Sequence, residues 1–401
     1  MQMDSYKYVV IGGGLAGASA VQGIRELDRD GSILLIGAEK HLPYDRPPLS
    51  KKLWFGKMKV DDIFIKGRDF YESNSVGLAL GSGVKSLDAA VKTVTCEDGR
   101  AFSYERLLLA TGGAPRRLSM PGGDLEGIYY YRSLDDYQRM RAEAAEGKSA
   151  TVIGGGFIGS EVAAALNINR LDVTMVFPSE YVCNRVFPEY LGTAIQQHFI
   201  ERGVKVFSGD KPVSISREGG RYATVTAGGM RLISDIVVAG VGMEPETNIA
   251  KSAGLTVTDG VEVDEYLRSS HPDIYAAGDN ASFPYQALGK RMRVEHWDNA
   301  LNQGKQAGRN MAGASEQYAY MPYFFSDLFE FGYEAVGEVN SGLDTFADWQ
   351  KENEKGVLYY LRDSKVRGVM MCNVWDKVPA ARELILKGDT VKPEGLRGLI
   401  K

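Results

Sequence analysis

One short pattern occurs twice along this chain, an apolar run of four residues that leads into a glycine-rich turn. The two copies read YVVIGGGLAG over residues 8–17 and ATVIGGGFIG over residues 150–159. Each copy is followed by a stretch with helical character and then by another short apolar run. These segments are 18–27 and 33–36 after the first copy, and 160–167 and 173–177 after the second. A strand, a helix and a second strand in this order form a βαβ unit, so the sequence predicts two such units and an α/β fold.

Both turns match the pattern G-x-G-x-x-G, which binds a dinucleotide pyrophosphate when it joins a strand to a helix. The first glycine allows the tight turn, the second lets the backbone approach the pyrophosphate, and the third lets the helix pack on the strand. The helix N-terminus adds amide donors and a partial positive charge. One match alone is weak evidence in a chain with 47 glycines, but two in the same context predict two dinucleotide sites. The glycines are Gly12, Gly14 and Gly17 in the first turn and Gly154, Gly156 and Gly159 in the second.

An acidic residue beyond the second strand of each unit is a candidate partner for the ribose hydroxyls. Glu39 lies 22 residues past Gly17, just beyond the first unit's second apolar run. In the second unit the nearest carboxylate is Glu180, whose position is offset, so a plain surface role is an equal alternative. No basic residue directly follows that strand, although Arg185 is a few residues further on. We therefore expect the second site to favour NADH over NADPH.

The length of the chain and its last quarter indicate more than one domain. Single hydrophobic cores stop growing at roughly 250–300 residues, so a chain of 401 residues should form two or three domains. From about residue 326 the pattern changes to alternating apolar segments such as 356–361 and 366–372, which predict antiparallel strands in a small separate domain.

Charge, hydropathy and cysteine content narrow the class of protein. A formal net charge of −5 gives no electrostatic reason to bind nucleic acid or an anionic membrane. No apolar window reaches the ~18 residues of a membrane span, and the first residues lack the pattern of a secretory signal. Cys96, Cys183 and Cys372 are odd in number and widely separated, which argues against a disulfide framework or a cysteine-based metal site. We expect a cytoplasmic protein with no bound metal.

Further motifs between and after the two turns resemble one known family in order and content. They are LPYDRPPLSK at 42–51, LLLATG at 107–112, GVGMEP at 240–245, IYAAGD at 274–279 and VEHWD at 294–298. Together with the two turns they resemble the flavoprotein reductases that contain two dinucleotide-binding domains, within the ferredoxin reductase and apoptosis-inducing factor branch of the pyridine nucleotide-disulfide oxidoreductases.

The resemblance implies a glutathione-reductase-like fold with two Rossmann-like domains and a C-terminal α+β domain. We expect an FAD-binding domain at 1–118 and 246–325, an NAD(H)-binding domain at 119–245, and the C-terminal domain at 326–401. FAD should be bound non-covalently. Asp279 should bind the ribityl chain, with the next helix directing its N-terminus at the flavin.

The site residues implied by the resemblance fall into two sets. The FAD set is Gly12, Gly14, Ala16, Gly17, Glu39, Arg46, Lys51, Ala110, Thr111, Gly112, Gly278, Asp279, Glu295, His296 and Phe325. The NAD set is Gly154, Gly156, Phe157, Ile158, Gly159, Glu161, Glu180 and Gly242.

Chemistry at the flavin should depend on a lysine rather than on a thiol. Relatives that reduce disulfides carry a cysteine pair after the first turn, whereas this chain reads RPPLSK at 46–51. By resemblance Lys51 lies near the flavin N5 edge and pairs with Glu161, and we expect Ser50 to cap a helix there. The three cysteines are interpreted as packing residues.

Three more residues are expected to contact the reacting rings. Phe157 should shield the flavin until nicotinamide displaces it, with an ordinary core aromatic as the alternative. Glu295 and His296 should meet the nicotinamide. Where many relatives have tryptophan before Ser-Asp, this chain has Phe325, which can stack on a nicotinamide but lacks the indole donor.

The sequence therefore predicts an FAD-dependent NAD(P)H oxidoreductase that transfers hydride from NADH to FAD. The electron acceptor is left open between a ferredoxin- or rubredoxin-like protein and a small oxidant. The alternative is a redox-gated protein like apoptosis-inducing factor, which forms a long-lived charge-transfer complex on reduction by NADH and changes its oligomeric or partner state. A homodimer is compatible with either.

Overall fold

The computed structural model describes residues 3–400. Within that range the chain forms eight α-helices and 25 β-strands. The helices are α1 (Leu15–Leu27), α2 (Arg68–Ser73), α3 (Leu134–Glu143), α4 (Phe157–Ile168), α5 (Glu189–Glu201), α6 (Asn248–Ser252), α7 (Trp297–Met311) and α8 (Val378–Lys387). The strands of the first half are β1 (Asp4–Ile11), β2 (Ile33–Gly37), β3 (Val76–Leu80), β4 (Val84–Asp88), β5 (Thr93–Cys96), β6 (Ala101–Leu109), β7 (Gly113–Pro115), β8 (Ser149–Ile153), β9 (Asp172–Phe177), β10 (Lys205–Ser208), β11 (Pro212–Glu218), β12 (Arg221–Thr226) and β13 (Arg231–Ser234). Those of the second half are β14 (Ile236–Ala239), β15 (Met243–Pro245), β16 (Val257–Thr258), β17 (Gly260–Glu262), β18 (Ile274–Ala276), β19 (Ala281–Tyr285), β20 (Lys290–Arg293), β21 (Tyr323–Leu328), β22 (Phe331–Gly337), β23 (Asp344–Lys351), β24 (Lys355–Arg362) and β25 (Lys365–Cys372).

The chain packs into two compact units, each made of separate segments. Unit 1 contains the N-terminal segment up to Asp45, together with Val60–Ala114 and Pro245–Tyr323. Unit 2 contains Arg46–Lys59, Pro115–Glu244 and the C-terminal segment from Phe324. The three-domain boundaries given above remain a prediction.

Unit 1 is built on a seven-stranded sheet with the order β3-β2-β1-β6-β5-β4, in which β18 also pairs with β6. Residues 8–11 of β1 pair in parallel with 33–36 of β2 on one side and with 106–109 of β6 on the other. The first two runs are continuously apolar and fully buried, as expected for parallel strands covered on both faces. The first predicted βαβ unit is β1, α1 and β2.

Helix α7 packs on α1 with backbone-to-backbone contact. A Cβ atom on Gly304 would lie 2.2 Å from the Ala16 carbonyl oxygen, and one on Gly308 would lie 2.1 Å from that of Ala20. Any larger residue would separate the helices. Gln303 of α7 accepts a hydrogen bond from the Gly278 amide at 2.8 Å. The start of α1, the loop at Gly278 and helix α7 therefore converge in unit 1.

Unit 2 contains the second βαβ unit. Its parallel sheet has the order β10-β9-β8-β14, and a three-stranded antiparallel sheet has the order β11-β12-β13. Residues 149–153 of β8 pair with 172–176 of β9 on one side, and 150–153 pair with 236–239 of β14 on the other. Helix α4 connects β8 to β9, so the pattern that occurs twice in the sequence corresponds to two copies of one structural unit.

The C-terminal part of unit 2 is a five-stranded antiparallel sheet with the order β21-β22-β25-β24-β23. Strands β24 and β25 pair across most of their length, and they contain the segments 356–361 and 366–372 that were predicted as antiparallel strands. The fold class is thereby confirmed as α/β with two dinucleotide-type sheets and a C-terminal sheet domain. Within residues 3–400 no helix combines the length and hydrophobicity needed to cross a bilayer.

Two helix boundaries differ from the prediction for a physical reason. Helix α1 begins at Leu15 and α4 at Phe157, three residues before the predicted starts at 18 and 160. Gly14 and Gly156 are the N-cap residues, so the second half of each glycine motif is already the first helical turn. Its amide groups have no partner within the helix and are available to a ligand.

Candidate functional site

The first glycine turn, in unit 1, has the geometry of a pyrophosphate site. Gly12 has φ +128°, and a Cβ atom there would lie 2.0 Å from the Ala110 carbonyl oxygen. Gly17 has the same requirement, because its Cβ would lie 2.0 Å from the Gly12 oxygen. Gly14 differs, since its φ is −95° and an added Cβ would meet nothing within 4 Å. Neither conformation nor internal packing needs glycine at 14, which fits close approach of a dinucleotide from outside.

The end of β2 presents Glu39 beside an open cavity. The Tyr44 hydroxyl donates to Glu39 Oε2 at 2.5 Å, which orients the half-buried carboxylate. The next residues, Lys40, His41 and Leu42, line a cavity of about 390 Å³ together with Asp61, Phe64 and Gly67. A carboxylate next to a cavity of this size fits an adenosine, with the ribose at Glu39.

The residues that follow β6 and β18 are held together by side chains that the sequence did not single out. Asn280 is fully buried and donates to Thr111 Oγ1 at 3.0 Å, while Thr111 donates to the Glu246 carbonyl at 2.6 Å. Arg293 donates to the Asp279 carbonyl at 2.9 Å and to Glu295 Oε1 at 2.5 Å. Asp279 and Glu295, both predicted site residues, are thus connected through one arginine. Ala110 and Gly112 lie on the same turn as Thr111.

His296 is the N-cap of α7 and is neutral at physiological pH. Burial lowers the pKa of its ring from 6.5 to about 4, because a charged imidazolium would lose its hydration. The neighbouring Trp297 donates its indole N–H to Asp45 Oδ1 at 2.6 Å. Burial raises the pKa of Asp45, and this hydrogen bond opposes the rise. His296 can therefore act as a hydrogen-bonding group but not as a resident cation.

The second glycine turn, in unit 2, repeats the first in detail. Gly154 has φ +120° and its Cβ would lie 2.3 Å from the Gly240 oxygen, while that of Gly159 would lie 2.1 Å from the Gly154 oxygen. Gly156 has φ −82°, and a Cβ there would meet nothing within 4 Å. The same combination, two glycines required by the fold and one left for a ligand, therefore occurs in both units.

The strand ends of the two units differ. Ile11 pairs with Ile36 in unit 1 and Ile153 pairs with Val176 in unit 2. Glu39 lies three residues beyond Ile36, and Ser179 lies three residues beyond Val176. Ser179, and not Glu180, therefore has the position that corresponds to Glu39. Glu180 is exposed one residue further on. The sequence already indicated that Glu180 is offset, but only the strand pairing, which defines the register, identifies Ser179 as the residue that corresponds to Glu39.

A cavity of about 220 Å³ lies at the second turn. It is lined by Leu118, Ser119, Met120, Ile153, Gly154, Pro178, Lys211, Pro212 and Val241. The lining is largely apolar with one cation, Lys211, which the sequence interpretation missed because it lies in the connection between β10 and β11. An apolar pocket beside a pyrophosphate turn suits the base of a nucleotide.

A buried ion pair lies next to the second turn, within unit 2. Lys51 Nζ is 2.7 Å from Glu161 Oε1, and the two side chains are 8% and 5% exposed. Ser50 donates to Glu161 Oε2 at 2.6 Å and Ser326 donates to Oε1 at 2.6 Å. The structure thus brings together the predicted pair and adds two hydroxyl donors, so both carboxylate oxygens have buried partners. A pair satisfied in this way can remain charged away from water.

The predicted helix cap at Ser50 is wrong. Ser50 ends a 3₁₀ turn over Pro47–Ser50, and its hydroxyl binds the Glu161 carboxylate instead of an amide of a following helix. The chain continues beyond it in successive turns, so no α-helix begins at this point. The tertiary contact with a buried carboxylate outweighs the local preference of serine for an N-cap.

Aromatic residues of β21 contact Lys51 and Phe157. Lys51 Nζ lies 5.5 Å from the centre of the Phe325 ring, within the range of a cation–π contact. Half-buried Phe157 contacts Phe324 with ring centres 5.8 Å apart, and therefore packs beside β21. Asp327 follows on the same strand, and burial raises the pKa of its carboxyl while Lys51 lowers it.

The remaining predicted residues lie in turns or, for Ile158, in a helix. Arg46 donates to the Arg132 carbonyl at 2.8 Å within unit 2. Ile158 is exposed at the start of α4, and Gly242 has φ +104°.

The three cysteines are free and buried, and burial raises the pKa of Cys183 to about 12. A thiol with such a pKa is not a nucleophile at neutral pH.

Comparison with known families agrees with this geometry over nearly the whole chain. The family model described as pyridine nucleotide-disulphide oxidoreductase matches residues 6–304. A second model, the C-terminal domain of mitochondrion-associated apoptosis-inducing factor, matches residues 307–355 and 347–387. The first match covers both glycine turns and the second covers most of the C-terminal sheet.

Individual relatives include apoptosis-inducing factors, ferredoxin reductases and monodehydroascorbate reductases. The chain is 36% identical to apoptosis-inducing factor 1, mitochondrial, of Dictyostelium discoideum, over 97% of this chain and 80% of the relative. It is 31% identical to the ferredoxin–NAD(+) reductase component of the anthranilate 1,2-dioxygenase system of Burkholderia cepacia, over 98% and 97%. Among solved structures, the covalent putidaredoxin reductase–putidaredoxin complex matches with a TM-score of 0.91 at 30% identity, over 98% of this chain and 95% of that one.

Matching turns, matching sheets and matching relatives lead to one assignment. The two open glycine positions fit two dinucleotides, and a buried lysine–glutamate pair lies next to the second of them. The chain belongs to the pyridine nucleotide-disulphide oxidoreductase family and is an FAD-dependent NAD(P)H oxidoreductase.

Proposed function

We propose that this enzyme takes its reducing equivalents from NADH and passes them one at a time to a protein electron carrier. The observation that carries the proposal is the buried Lys51–Glu161 pair. A charge pair can support electron transfer out of a flavin, whereas it cannot relay electrons to a disulfide. The relatives named as a ferredoxin–NAD(+) reductase component and as putidaredoxin reductase in complex with putidaredoxin support this choice of acceptor.

Each unit is proposed to hold one nucleotide. In unit 1 the amides at the start of α1 would hold the FAD pyrophosphate, Glu39 the adenosine ribose and Asp279 the ribityl chain. In unit 2 the turn at Gly156 would hold the pyrophosphate of the coenzyme. FAD, when bound, supplies the ring system that accepts the hydride. The contribution of the chain is to bind each nucleotide in one orientation, which removes an entropic cost from the reaction.

The ion pair is proposed to balance charge near the reacting rings. The positive charge of Lys51 would stabilise the electron-rich reduced flavin. Glu161 would balance this charge when the flavin is oxidised. Ser50 and Ser326 keep the Glu161 carboxylate oriented through two hydrogen bonds of 2.6 Å. Phe157 is proposed to cover the position of the nicotinamide, and Phe325 to flank Lys51.

NADH is the proposed coenzyme because of the end of β9. Residues 177–184 contain Glu180 and no basic residue, and a carboxylate there repels the 2′-phosphate of NADPH. The cation that lines the adjacent cavity is Lys211. It gives NADPH a partner, so we expect NADPH to be used with lower efficiency rather than excluded.

A second function is supported by one specific observation. The C-terminal domain matches that of apoptosis-inducing factor, and the Dictyostelium discoideum relative bears that name. In this alternative, reduction by NADH produces a stable state with a changed oligomeric or partner surface, and turnover is slow.

Anaerobic titration with NADH followed by addition of an acceptor distinguishes the two functions. The proposed function predicts bleaching of the flavin absorbance at one equivalent of NADH and fast reoxidation by an iron–sulfur protein such as putidaredoxin. Persistent long-wavelength absorbance together with slow reoxidation by every acceptor supports the alternative.

We also propose a cytoplasmic location, since the three buried cysteines are free thiols. The proposed domain limits are 1–118 with 246–325 for the FAD-binding domain, 119–245 for the NAD(H)-binding domain and 326–401 for the C-terminal domain.

A further inference from the structure

Arg293 is the last residue of β20, and its side chain reaches back to the loop that precedes β19. Ser282 of β19 pairs with Arg293 across the two strands, and Asp279 comes shortly before Ser282 in the chain. The guanidinium donates through Nη1 to the Asp279 carbonyl at 2.9 Å and to Glu295 Oε1 at 2.5 Å. One nitrogen therefore holds the backbone of one predicted site residue and the carboxylate of another.

The guanidinium of Arg293 is enclosed within unit 1. The side chain is 10% exposed, and its Nε donates to the Asp259 carbonyl at 2.9 Å. Gly260 leaves room for the stem, because a Cβ atom there would lie 3.0 Å from Arg293 Cδ. A planar guanidinium with several fixed acceptors has one orientation, so the groups that it binds are held in place.

The loop that the guanidinium holds has a side-chain contact at each of its three residues. The Gly278 amide donates to Gln303 Oε1 at 2.8 Å. Asn280 is fully buried and donates to the turn that follows β6. Asp279, between them, is held by Arg293 through its carbonyl and not through its carboxylate. The arginine therefore fixes the point from which the Asp279 side chain leaves the backbone.

This loop lies against the start of α1. A Cβ atom on Gly278, which has φ +87°, would lie 3.0 Å from the Ala16 Cβ. The loop is thus packed on the first helical turn of α1, whose amides are proposed to hold the FAD pyrophosphate. A displacement of Asp279 therefore alters the surface next to that turn.

The contact with Glu295 sets the local charge. The Glu295 side chain is 39% exposed, and Arg293 is its ion-pair partner. Asp259 is the second carboxylate near Arg293, but it is 75% exposed, so water screens its charge. A reduced flavin is richer in negative charge than an oxidised one. A carboxylate that is paired with an arginine therefore opposes reduction less than an unpaired carboxylate does.

We propose that Arg293 is a positioning residue for the flavin, which fixes the Asp279 backbone for FAD binding and balances the charge of Glu295 during reduction. The inference rests on the proposed function, in which Asp279 holds the ribityl chain. The two contacts of the guanidinium predict two separable effects. Loss of the carbonyl contact weakens FAD binding, and loss of the carboxylate contact lowers the reduction potential of the bound flavin.

The test compares Arg293→Met with Arg291→Met, both in the full chain loaded with FAD. Arg291 lies on the same strand and donates to the Val263 and Ser282 carbonyls at 2.8 Å and 2.6 Å. Its loss therefore controls for removal of a charge and of two hydrogen bonds to the backbone. Flavin fluorescence on dilution of the holoenzyme measures FAD release, and titration with dithionite against a reference dye measures the potential.

We expect Arg293→Met to raise the dissociation constant of FAD by about tenfold or more, because a charged hydrogen bond is lost. The equilibrium constant for two-electron reduction of the flavin should fall by about tenfold, which corresponds to ~30 mV. Arg291→Met should change both constants by less than about twofold, as expected for a substitution away from the site.

Two further variants separate the two contacts. Arg293→Met/Glu295→Gln removes the carboxylate together with its partner, so the potential should return toward that of the wild type. Its FAD affinity should stay weak, since the Asp279 carbonyl still lacks its donor. Arg293→Lys retains the charge without the planar fork, and it also serves if the methionine variant does not fold. Its potential should match the wild type, and its FAD affinity should lie between those of the wild type and Arg293→Met.

The outcomes separate the inference from the function on which it rests. Unchanged FAD affinity and potential in Arg293→Met and Arg293→Lys, or equal losses in Arg291→Met, overturn the inference. A double variant whose potential stays as low as that of Arg293→Met also overturns it, because the shift then does not arise from Glu295. A wild-type flavin that NADH does not reduce contradicts the proposed function, and the dye titration, which uses no NADH, still decides the role of Arg293.

Discussion

The two glycine turns have nearly the same backbone, yet the strands beside them end differently. Gly12 and Gly154 have φ +128° and +120°, and the middle glycine is open to a ligand in both turns. Beyond the turn, unit 1 places Gly37 next to Gly13 and then Glu39, oriented by Tyr44. Unit 2 places the buried Phe177 ring against Gly155, followed by Ser179 and an exposed Glu180.

This difference shows which part of a dinucleotide site is general and which is specific. The turn and the helix N-terminus recognise a pyrophosphate, which FAD and NAD(P)H share. The strand end and the neighbouring cavity recognise the rest of the nucleotide. Unit 1 has a carboxylate oriented by Tyr44, whereas the strand end in unit 2 has Ser179 and an exposed Glu180. We propose that the first end suits a tightly held cofactor and the second a coenzyme that must leave in each cycle.

The largest expected effect comes from filling the open glycine positions one at a time. Gly14→Val should leave the chain folded, because no atom lies within 4 Å of the new Cβ, but should lower FAD affinity more than about 1,000-fold, or ~4.1 kcal/mol. Gly156→Val should retain FAD and instead raise the KM for NADH. Flavin content after gel filtration and NADH kinetics measure the two. Equal loss of flavin in both variants would mean that the turns are not divided between the nucleotides.

The next largest effect is expected at the Lys51–Glu161 ion pair, which lies beside the glycine turn of unit 2. Lys51→Met leaves Glu161 charged and buried, so unfolding free energy should fall by about 3 kcal/mol or more. Adding Glu161→Gln in the same chain should restore part of this loss. Denaturant unfolding of the three proteins measures it, with flavin reduction by NADH followed in parallel. The account of the pair is wrong if the double variant is less stable than Lys51→Met.

A smaller effect is expected from His296 of unit 1 as pH falls. Its pKa is about 4 in the folded chain and 6.5 otherwise, so the unfolded state binds the extra proton between these values. Stability from the neutral ring is complete above pH 6.5 and is lost as pH falls toward 4, by about 2 kcal/mol between pH 7 and 5. Unfolding of wild type and His296→Asn at several pH values measures this. An equal pH slope in the two proteins rejects the assignment to His296.

Ser326 should matter less, because Glu161 keeps its other partners. Ser326→Ala removes one hydrogen bond of 2.6 Å to the carboxylate and should cost about 1.5 kcal/mol of stability. Ser326→Thr retains a hydroxyl and is the matched control. If alanine and threonine have the same rate of flavin reduction as wild type, Ser326 supports the fold and has no part in positioning Glu161.

The smallest expected effect sharpens the comparison of the strand ends. Glu180→Ala should lower the ratio of kcat/KM for NADH over NADPH by about tenfold, or ~1.4 kcal/mol. Lys211→Ala should shift the same ratio in the opposite direction, since Lys211 lines the neighbouring cavity. Steady-state kinetics with both coenzymes measure the ratios. If Glu180→Ala leaves the ratio unchanged, Glu180 does not discriminate between the two coenzymes, and Ser179 becomes the candidate for this role.

The sequence predicted the parts of the fold that depend on local pattern. The runs at 8–11 and 150–153 are buried strands because continuous apolar residues suit a parallel sheet covered on both faces. The helix starts were placed late, because the glycine turn itself forms the first helical turn.

Contacts between distant segments were beyond the reach of local pattern. The predicted Lys51–Glu161 contact came from a family resemblance. Its partner Ser326, which lies 165 residues from Glu161, was not predicted, and neither was Arg293 as the connection between Asp279 and Glu295. The error at Ser50 has the same origin, since a serine after prolines locally resembles a cap and only the tertiary structure supplies the carboxylate that it binds.

The central claim is that a nicotinamide held by one glycine turn reduces a flavin held by the other directly. Rapid anaerobic mixing of the FAD-loaded enzyme with NADH deuterated at the transferred C4 position tests it, with the opposite C4 deuteration as the internal control. The account predicts one bleaching phase at the flavin absorbance band that is slowed by deuterium at one C4 position and not at the other. Bleaching that is insensitive to both deuterations, or no bleaching at all, would contradict it.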